Sequence, residues 1–335
     1  MPVTVLSTTN LTEEQLQRLA SISPRLQVRQ VFCRSGAQVG PLLPGVEVLL
    51  TQHGDFSLEQ ADRLRWVQST MAGVDQFLGS PMMRSPEIVV TTSSGIHATP
   101  IAEFVLGAMI GLARKFPRAW HLQEEHIWPE HTWRELRGED LRGKTVGILG
   151  YGSIGREIAR LAQALGMRVV ALSASGRRRD EGFCFPGVGD PEGRIPQAWY
   201  RPEQLVAFLG EADFVVISVP LTPKTRGMID LQALRAMKRG AFLINVARGE
   251  VLQEEALLIA LREGWLAGAA LDVFAQEPLP PDHPLYRMGN VLLTPHISAA
   301  TRNYNERLTE LFAENLRRYL RGEPLWNVFD KERGY

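Results

Sequence analysis

The chain has 335 residues, 44% hydrophobic and 22% charged, which excludes a disordered or fibrous polymer and suits two domains of about 150 residues each. Lysine plus arginine equals aspartate plus glutamate at 37 each, so no overall field draws the chain to nucleic acid or an anionic membrane, and partners must be recognised locally. Cys33 and Cys184 stand far apart without metal-type spacing, which argues against a disulfide framework or structural zinc and for a reducing, cytoplasmic setting.

Short apolar runs alternate with helical stretches through residues 3–6, 13–22 (helix), 46–50, 66–70 and 89–92. This alternation predicts a parallel α/β layer. The N-terminal MPVTVLSTTN lacks a basic segment followed by an apolar one, so no secretory leader is expected. A long apolar helix is predicted from Pro100 to about Ala113; it is shorter than the roughly 20 residues of a membrane span, carries Glu103 and reads as buried. The mixed-charge segment with Trp120, Trp128 and Trp133 reads as a connection between domains. Its His121, His126 and His131 do not stack on one helix face, so no metal site is expected there. A second series follows at 146–149, 168–172, 214–219, 241–246, 267–273 and 291–294. Six strands with helices between them predict a doubly wound sheet, followed by a helix over 303–319 and a polar tail.

The stretch TVGILGYGSIGREIARLAQALG places Gly150, Gly152 and Gly155 as G-x-G-x-x-G between an apolar strand and a helix with Ile154, Ile158, Leu161 and Leu165 at helical spacing. In that context Gly150 makes the tight turn, Gly152 admits a pyrophosphate to the backbone, and Gly155 allows close helix packing. NAD readers carry an acidic residue about 20 residues past this motif. Here the strand end carries Ser173, then Ser175, Gly176, Arg177, Arg178 and Arg179. A hydroxyl beside guanidinium groups suits a 2′-phosphate, so NADP(H) is favoured over NAD(H), which stays possible. The bland alternative is that the arginines form only a solvated loop face.

Arg248, Asp272, Glu277 and His296 all close or follow predicted strands. In an open parallel sheet those strand ends face one crevice. Arg248 offers a fork of donors for a carboxylate and its neighbouring carbonyl, and histidine titrates near neutrality. A carboxylate such as Glu277, paired with His296, would favour the imidazolium form and orient the ring. Singly each could be structural; together, beside a dinucleotide turn, they suit ketoacid reduction.

These residues resemble the D-isomer-specific 2-hydroxyacid dehydrogenases, glyoxylate/hydroxypyruvate reductases among them. MAGVD, PIAEF, GKTVGILGYGSIG, SVPLTPKT, INVARGEVL, ALDVFAQEPLP, LLTPHISAAT and ENLRRYLRGEPLWN carry the likeness over nearly the whole chain. The resemblance implies an α/β protein with a smaller flavodoxin-like substrate domain formed by residues 1–98 and 299–335, a Rossmann dinucleotide-binding domain over 99–298, and a homodimer built mainly through the cofactor domains. It implies hydride transfer between NAD(P)H and a small 2-ketoacid or D-2-hydroxyacid, with Arg248 orienting substrate, His296 as proton donor and acceptor, and Glu277 as its partner. It further implies that Asp272 holds the nicotinamide carboxamide, that Ser153 and Ile154 meet the pyrophosphate, and that Val219, Pro220 and Thr225 line the adenosine side and Ala247 the nicotinamide ribose. The backbone of Ala72, Gly73 and Val74 resembles the loop that binds the substrate carboxylate across the cleft, and His97 stands at the edge of that region.

Two features depart from the family pattern. Ser173 replaces the usual acid, and residues 180–201 form an apparent insertion. Its Phe183, Phe185, Trp199 and Tyr200 predict partial order, packed beside the 2′-phosphate site or against a partner subunit. Two other readings stay open: a dinucleotide-sensing binding protein of the corepressor kind, and a formate- or phosphite-dehydrogenase-like enzyme acting on an anion without a carbonyl.

Overall fold

A computed structural model of the chain describes residues 2–73, 77, 79–176 and 178–330. The chain begins with β1 (Val3–Ser7), α1 (Glu13–Ala20), β2 (Leu26–Gln30), β3 (Val48–Thr51), β4 (Trp66–Ser69), α2 (Pro81–Arg84) and β5 (Val89–Thr91). It continues through α3 (Ala98–Ala113), α4 (Phe116–Glu124), α5 (Thr132–Glu135), β6 (Thr145–Leu149), α6 (Ser153–Ala164), β7 (Arg168–Leu172) and β8 (Ala198–Tyr200). Then come α7 (Leu205–Glu211), β9 (Phe214–Ile217), α8 (Leu231–Ala236), β10 (Ala241–Asn245), α9 (Glu254–Arg262), β11 (Leu266–Leu271), β12 (Val291–Leu293) and α10 (Tyr304–Arg321). Two compact units result: Met1–His97 with Glu181–Phe185 and Thr301–Tyr335, and Ala98–Asp180 with Pro186–Ala300. Among the described residues no helix is long and apolar enough to cross a membrane.

The first unit holds a parallel sheet in the order β2-β1-β3-β4-β5, the flavodoxin-like arrangement. β2 is not among the strands that apolar alternation predicts. Its five residues, LQVRQ, lie at the sheet edge and bury only Leu26 fully, so the apolar signal is weak. α1 is started by a capping box, in which Thr12 accepts from the Gln15 amide and Gln15 from the Thr12 amide. α10 buries Leu308, Leu311, Phe312 and Leu316 at helical spacing. Against that stripe lies fully buried Trp66, whose ring is 5.3 Å from Phe312 and 5.5 Å from Tyr319 and whose Nε1 donates to Thr91 Oγ1 at 2.8 Å. Glu181–Phe185, inside the stretch expected for the cofactor domain, counts with this unit. Phe183 and Phe185 meet edge to face at 4.9 Å and pack on the same core, and the Phe183 amide donates to Asn327 Oδ1 at 2.9 Å.

The second unit holds a parallel sheet in the order β12-β11-β10-β9-β6-β7-β8. One core lies under α3 and α6, with Ile101, Val105, Met109 and Ile158; the other lies under α7, α8 and α9, with Phe208, Leu234 and Leu257. The inner strands β6, β9 and β10 are buried at every residue, as the middle of a helix-covered parallel sheet requires. The sheet has seven strands where the sequence predicts six. The addition is β8, so Trp199 and Tyr200 belong to the sheet and not to the insertion; three residues at an edge are too short to show a period. The tryptophan-rich segment also differs from its expectation. α4 and α5 lie within the second unit, and the chain passes between units at 97/98, 180/181, 185/186 and 300/301 instead.

Phe312→Ala should lower the unfolding free energy by about 3–5 kcal/mol, the usual cost of deleting a buried ring. Urea unfolding followed by tryptophan fluorescence measures this, and unchanged stability would show that α10 is not held by that ring.

Candidate active site

The C-terminal ends of the second unit's parallel strands share one edge. From adjacent β6 and β9 the strand order runs outward in opposite directions, and such a switch point is where open α/β sheets bind ligands. Gly150, just past β6, has φ 101°, and a Cβ there would stand 2.7 Å from the Ser218 carbonyl oxygen beyond β9. The Ser218 hydroxyl donates to the Gly150 carbonyl at 2.9 Å. Gly152 caps α6 with no side-chain hydrogen bond, and a Cβ on it would meet nothing within 4 Å. At Gly155 a Cβ would lie 2.3 Å from the Gly150 carbonyl, so helix and turn touch directly. Ser153 and Ile154, both half-buried, open the helix. First-turn amides lack intrahelical acceptors and make an electropositive end. An open backbone before a helix start fits the diphosphate of a dinucleotide.

At the end of β7, Ser173 is buried, donates its amide to Tyr200 O at 3.0 Å and has its Oγ 3.2 Å from that of Ser175. The Arg178 guanidinium lies 6.0 Å from the Trp199 ring, and exposed Arg179 pairs with Glu192 at 3.7 Å. Arg177 lies outside the described residues. A Cβ on Gly176 would stand 3.4 Å from the Arg201 guanidinium. Arg201 is thus a further cation beside this turn. Residue 201 falls within the stretch that the sequence marks as an insertion, so it is not expected at the cofactor site; the one signal for it is the aromatic AWY run directly before it.

Past β9, Thr225 donates its hydroxyl to Pro220 O at 2.7 Å and accepts from the Thr222 amide at 2.8 Å, which closes the loop that includes Val219. Past β10, buried Ala247 donates its amide to Asn245 Oδ1 at 3.1 Å, and half-buried Arg248 donates from Nη1 to Ala247 O at 2.8 Å. A Cβ on Gly249 would fall 1.9 Å from the Phe274 carbonyl carbon, so the Arg248 turn lies directly on the loop after β11. In that loop the Phe274 amide donates to Glu277 Oε1 at 3.0 Å, while Glu277 Oε2 stands 2.8 Å from His296 Nδ1. Both members of the pair are partly exposed. With Nδ1 engaged, Nε2 is the ring nitrogen left for a reacting group.

His296 has a positive φ of 54°. Such backbone persists only where the surroundings enforce it. Here Asp272 does so: its carbonyl accepts the His296 amide at 2.8 Å, and its fully buried carboxylate accepts Thr294 Oγ1 at 2.7 Å and the amides of Ile297 and Ser298 at 2.8 and 2.9 Å. Asp272 therefore anchors the loop that carries His296, a task no sequence pattern announces. In the first unit, Ala72 and Gly73 are half-buried just beyond β4, where the preceding Met71 accepts the Ser93 amide at 2.9 Å; Val74 lies outside the described residues. His97 is buried, its ring 5.5 Å from that of Tyr304.

The profile of the D-isomer specific 2-hydroxyacid dehydrogenase NAD binding domain matches residues 106–298. The glyoxylate reductase of Korarchaeum cryptofilum is 37% identical over 286 residues, covering 85% of this chain and 82% of that protein. A D-isomer specific 2-hydroxyacid dehydrogenase from Xanthobacter autotrophicus, solved with NADPH and MES, superposes with a TM-score of 0.78 at 30% identity over 100% of this chain and 99% of that one. The NADPH-dependent glyoxylate/hydroxypyruvate reductase of Sinorhizobium meliloti, solved with NADP and sulfate, gives a TM-score of 0.77 at 29% identity over 99% of this chain and 100% of that one.

Asp272→Ala removes the acceptor from two amides and a hydroxyl. It should cost about 3 kcal/mol or more in stability and speed hydrogen exchange at Ile297 and Ser298. Slow exchange at both amides in the variant would refute the anchoring role.

Proposed function

The chain belongs to the D-isomer-specific 2-hydroxyacid dehydrogenase family, and from that premise we propose that it is an NADPH-preferring reductase of glyoxylate, hydroxypyruvate or a similarly small 2-ketoacid. The observation that carries this reading is the Glu277–His296 pair at 2.8 Å, on the sheet edge that also carries the glycine-rich turn.

Gly150, Gly152, Ser153, Ile154 and Gly155 would hold the diphosphate, with Val219, Pro220 and Thr225 on the adenosine side and Ala247 and Asp272 toward the nicotinamide. When bound, the reduced nicotinamide supplies a hydride. Arg248 orients the substrate carboxylate and its adjoining carbonyl with paired donors. By the family likeness the first unit is read as the substrate domain, through the loop segment Ala72, Gly73 and Val74, and the second as the cofactor domain. His296 Nε2 gives its proton to the carbonyl oxygen in reduction and takes it back in oxidation. Glu277, on Nδ1, fixes which nitrogen faces the substrate. The absence of a carboxylate at Ser173, with Ser175, Arg178 and Arg201 near that strand end and Arg177 in the same arginine run of the sequence, favours a 2′-phosphate. NADP in the solved relatives supports the same preference.

The protein is proposed to act in the cytoplasm as a homodimer formed through the second unit. Trp128 and Trp133 are 89% and 86% exposed, with Phe116, Trp120 and Ile127 exposed on the same segment. Exposed aromatic surface on this segment supports the reading of it as the interface. Trp128→Asp with Trp133→Asp should turn a dimer into a monomer in sedimentation velocity; an unchanged sedimentation coefficient would place the interface elsewhere.

Initial rates with glyoxylate and hydroxypyruvate should favour NADPH over NADH, and His296→Ala should lower kcat by about 10²- to 10⁴-fold, the usual contribution of a general acid. A preference for NADH would remove the 2′-phosphate assignment alone. Cofactor binding without turnover of any 2-ketoacid would favour a dinucleotide sensor instead.

A further inference from the structure

The excursion between β7 and β8 ends against the glycine-rich turn. Asp190, 6% exposed, accepts the Tyr151 hydroxyl at 2.8 Å and the Ile195 amide at 3.0 Å on Oδ2, and the Arg194 amide at 2.9 Å on Oδ1. The Asp190 carbonyl accepts Arg156 Nη1 at 2.6 Å, and Arg156 Nε stands 3.4 Å from Asp180 Oδ2. Glu157, 1% exposed, accepts the Gly189 amide at 2.6 Å and both Arg160 donors. Charges of both signs are therefore buried over the first turns of α6. Packing alone does not call for this, since apolar residues of similar volume stabilise at least as well.

Tyr151 is the residue between Gly150 and Gly152. The Arg156 guanidinium lies 4.9 Å from its ring centre and the Trp199 ring meets it edge-on at 4.9 Å. Burial, and then the hydrogen bond to Asp190, push its hydroxyl far above the ordinary tyrosine range, so it stays a donor at any working pH. A residue flanked by glycines would otherwise be free to turn.

We infer that Asp190 is a positioning residue for the dinucleotide turn: acting through Tyr151, it clamps the Gly150–Gly152 backbone in the diphosphate-accepting conformation before the cofactor arrives. The inference rests on the reading that this turn holds NADPH. Preorganisation of that kind strengthens binding by removing the cost of ordering the turn. The clamp acts on affinity and leaves the His296 chemistry untouched.

Equilibrium binding of NADPH to the full chain, compared among wild type, Tyr151→Phe, Asp190→Ala and the double variant, tests it. Adenosine 2′-phosphate, which lacks the diphosphate, serves as the second probe. Tyr151→Phe should raise the NADPH Kd about 3- to 10-fold and Asp190→Ala about tenfold or more, and the double variant should be no weaker than Asp190→Ala alone. Affinity for adenosine 2′-phosphate, and kcat at saturating NADPH, should stay within about twofold of wild type. If Asp190→Ala does not fold, Tyr151→Phe, which keeps the ring, carries the test. Wild-type NADPH affinity in folded Tyr151→Phe would overturn the inference, as would additive losses or equal loss of both probes. Failure of the wild type itself to bind NADPH would instead defeat the reading of the turn, and the inference with it.

Discussion

Where β6 runs beside β9, the chain leaves one strand toward β7 and the other toward β10, and the two connections part over a gap that Gly150 and Ser218 border. A Cβ at Gly150 would close that gap against backbone, which cannot give way as a flexible side chain can. The path of the turn, the start of α6 and the open face of Gly152 all follow from this contact. In parallel sheets the remaining strand ends have no choice but to arrive at the same edge, so residues as distant in sequence as Ser173, Arg248 and His296 are delivered to it.

The residues proposed to react rest on different kinds of support. Glu277 and His296 hold each other at the surface, where water competes for both. Asp272, beneath them, is buried and saturated with donors from the His296 loop. A partly exposed pair is thus mounted on a buried, fully hydrogen-bonded base, which suits the proton transfer proposed for the ring. The Arg248 turn is pressed against the same loop at Gly249, so the residues proposed to orient the substrate and to deliver the proton share one scaffold.

Much of this was legible in the chain. The glycine spacing between a strand and a helix, the terminal positions of Arg248 and His296 and the covered parallel sheet all leave a periodic or positional trace. What left none is informative. β2 and β8 are edge strands of five and three residues, too short or too polar for a period to emerge. Arg201 lies beside the Gly176 turn only because β8 exists. The anchoring by Asp272 and the grip of Asp190 on Tyr151 join residues 22 to 39 positions apart, and hydrogen bonds across such distances have no local signature.

The excursion through Glu181–Phe185 also bears on how the protein can be taken apart. Because the chain passes between units at 97/98, 180/181, 185/186 and 300/301, neither unit corresponds to an uninterrupted stretch bounded by a single pair of cuts. A fragment spanning 98–300 would retain Phe183 and Phe185 while discarding the hydrophobic core they pack on. Two aromatic rings would then be stranded in water, where such groups promote self-association. Modular exchange of the nucleotide half between relatives would therefore need to graft or shorten this loop together with the residues that receive its tip.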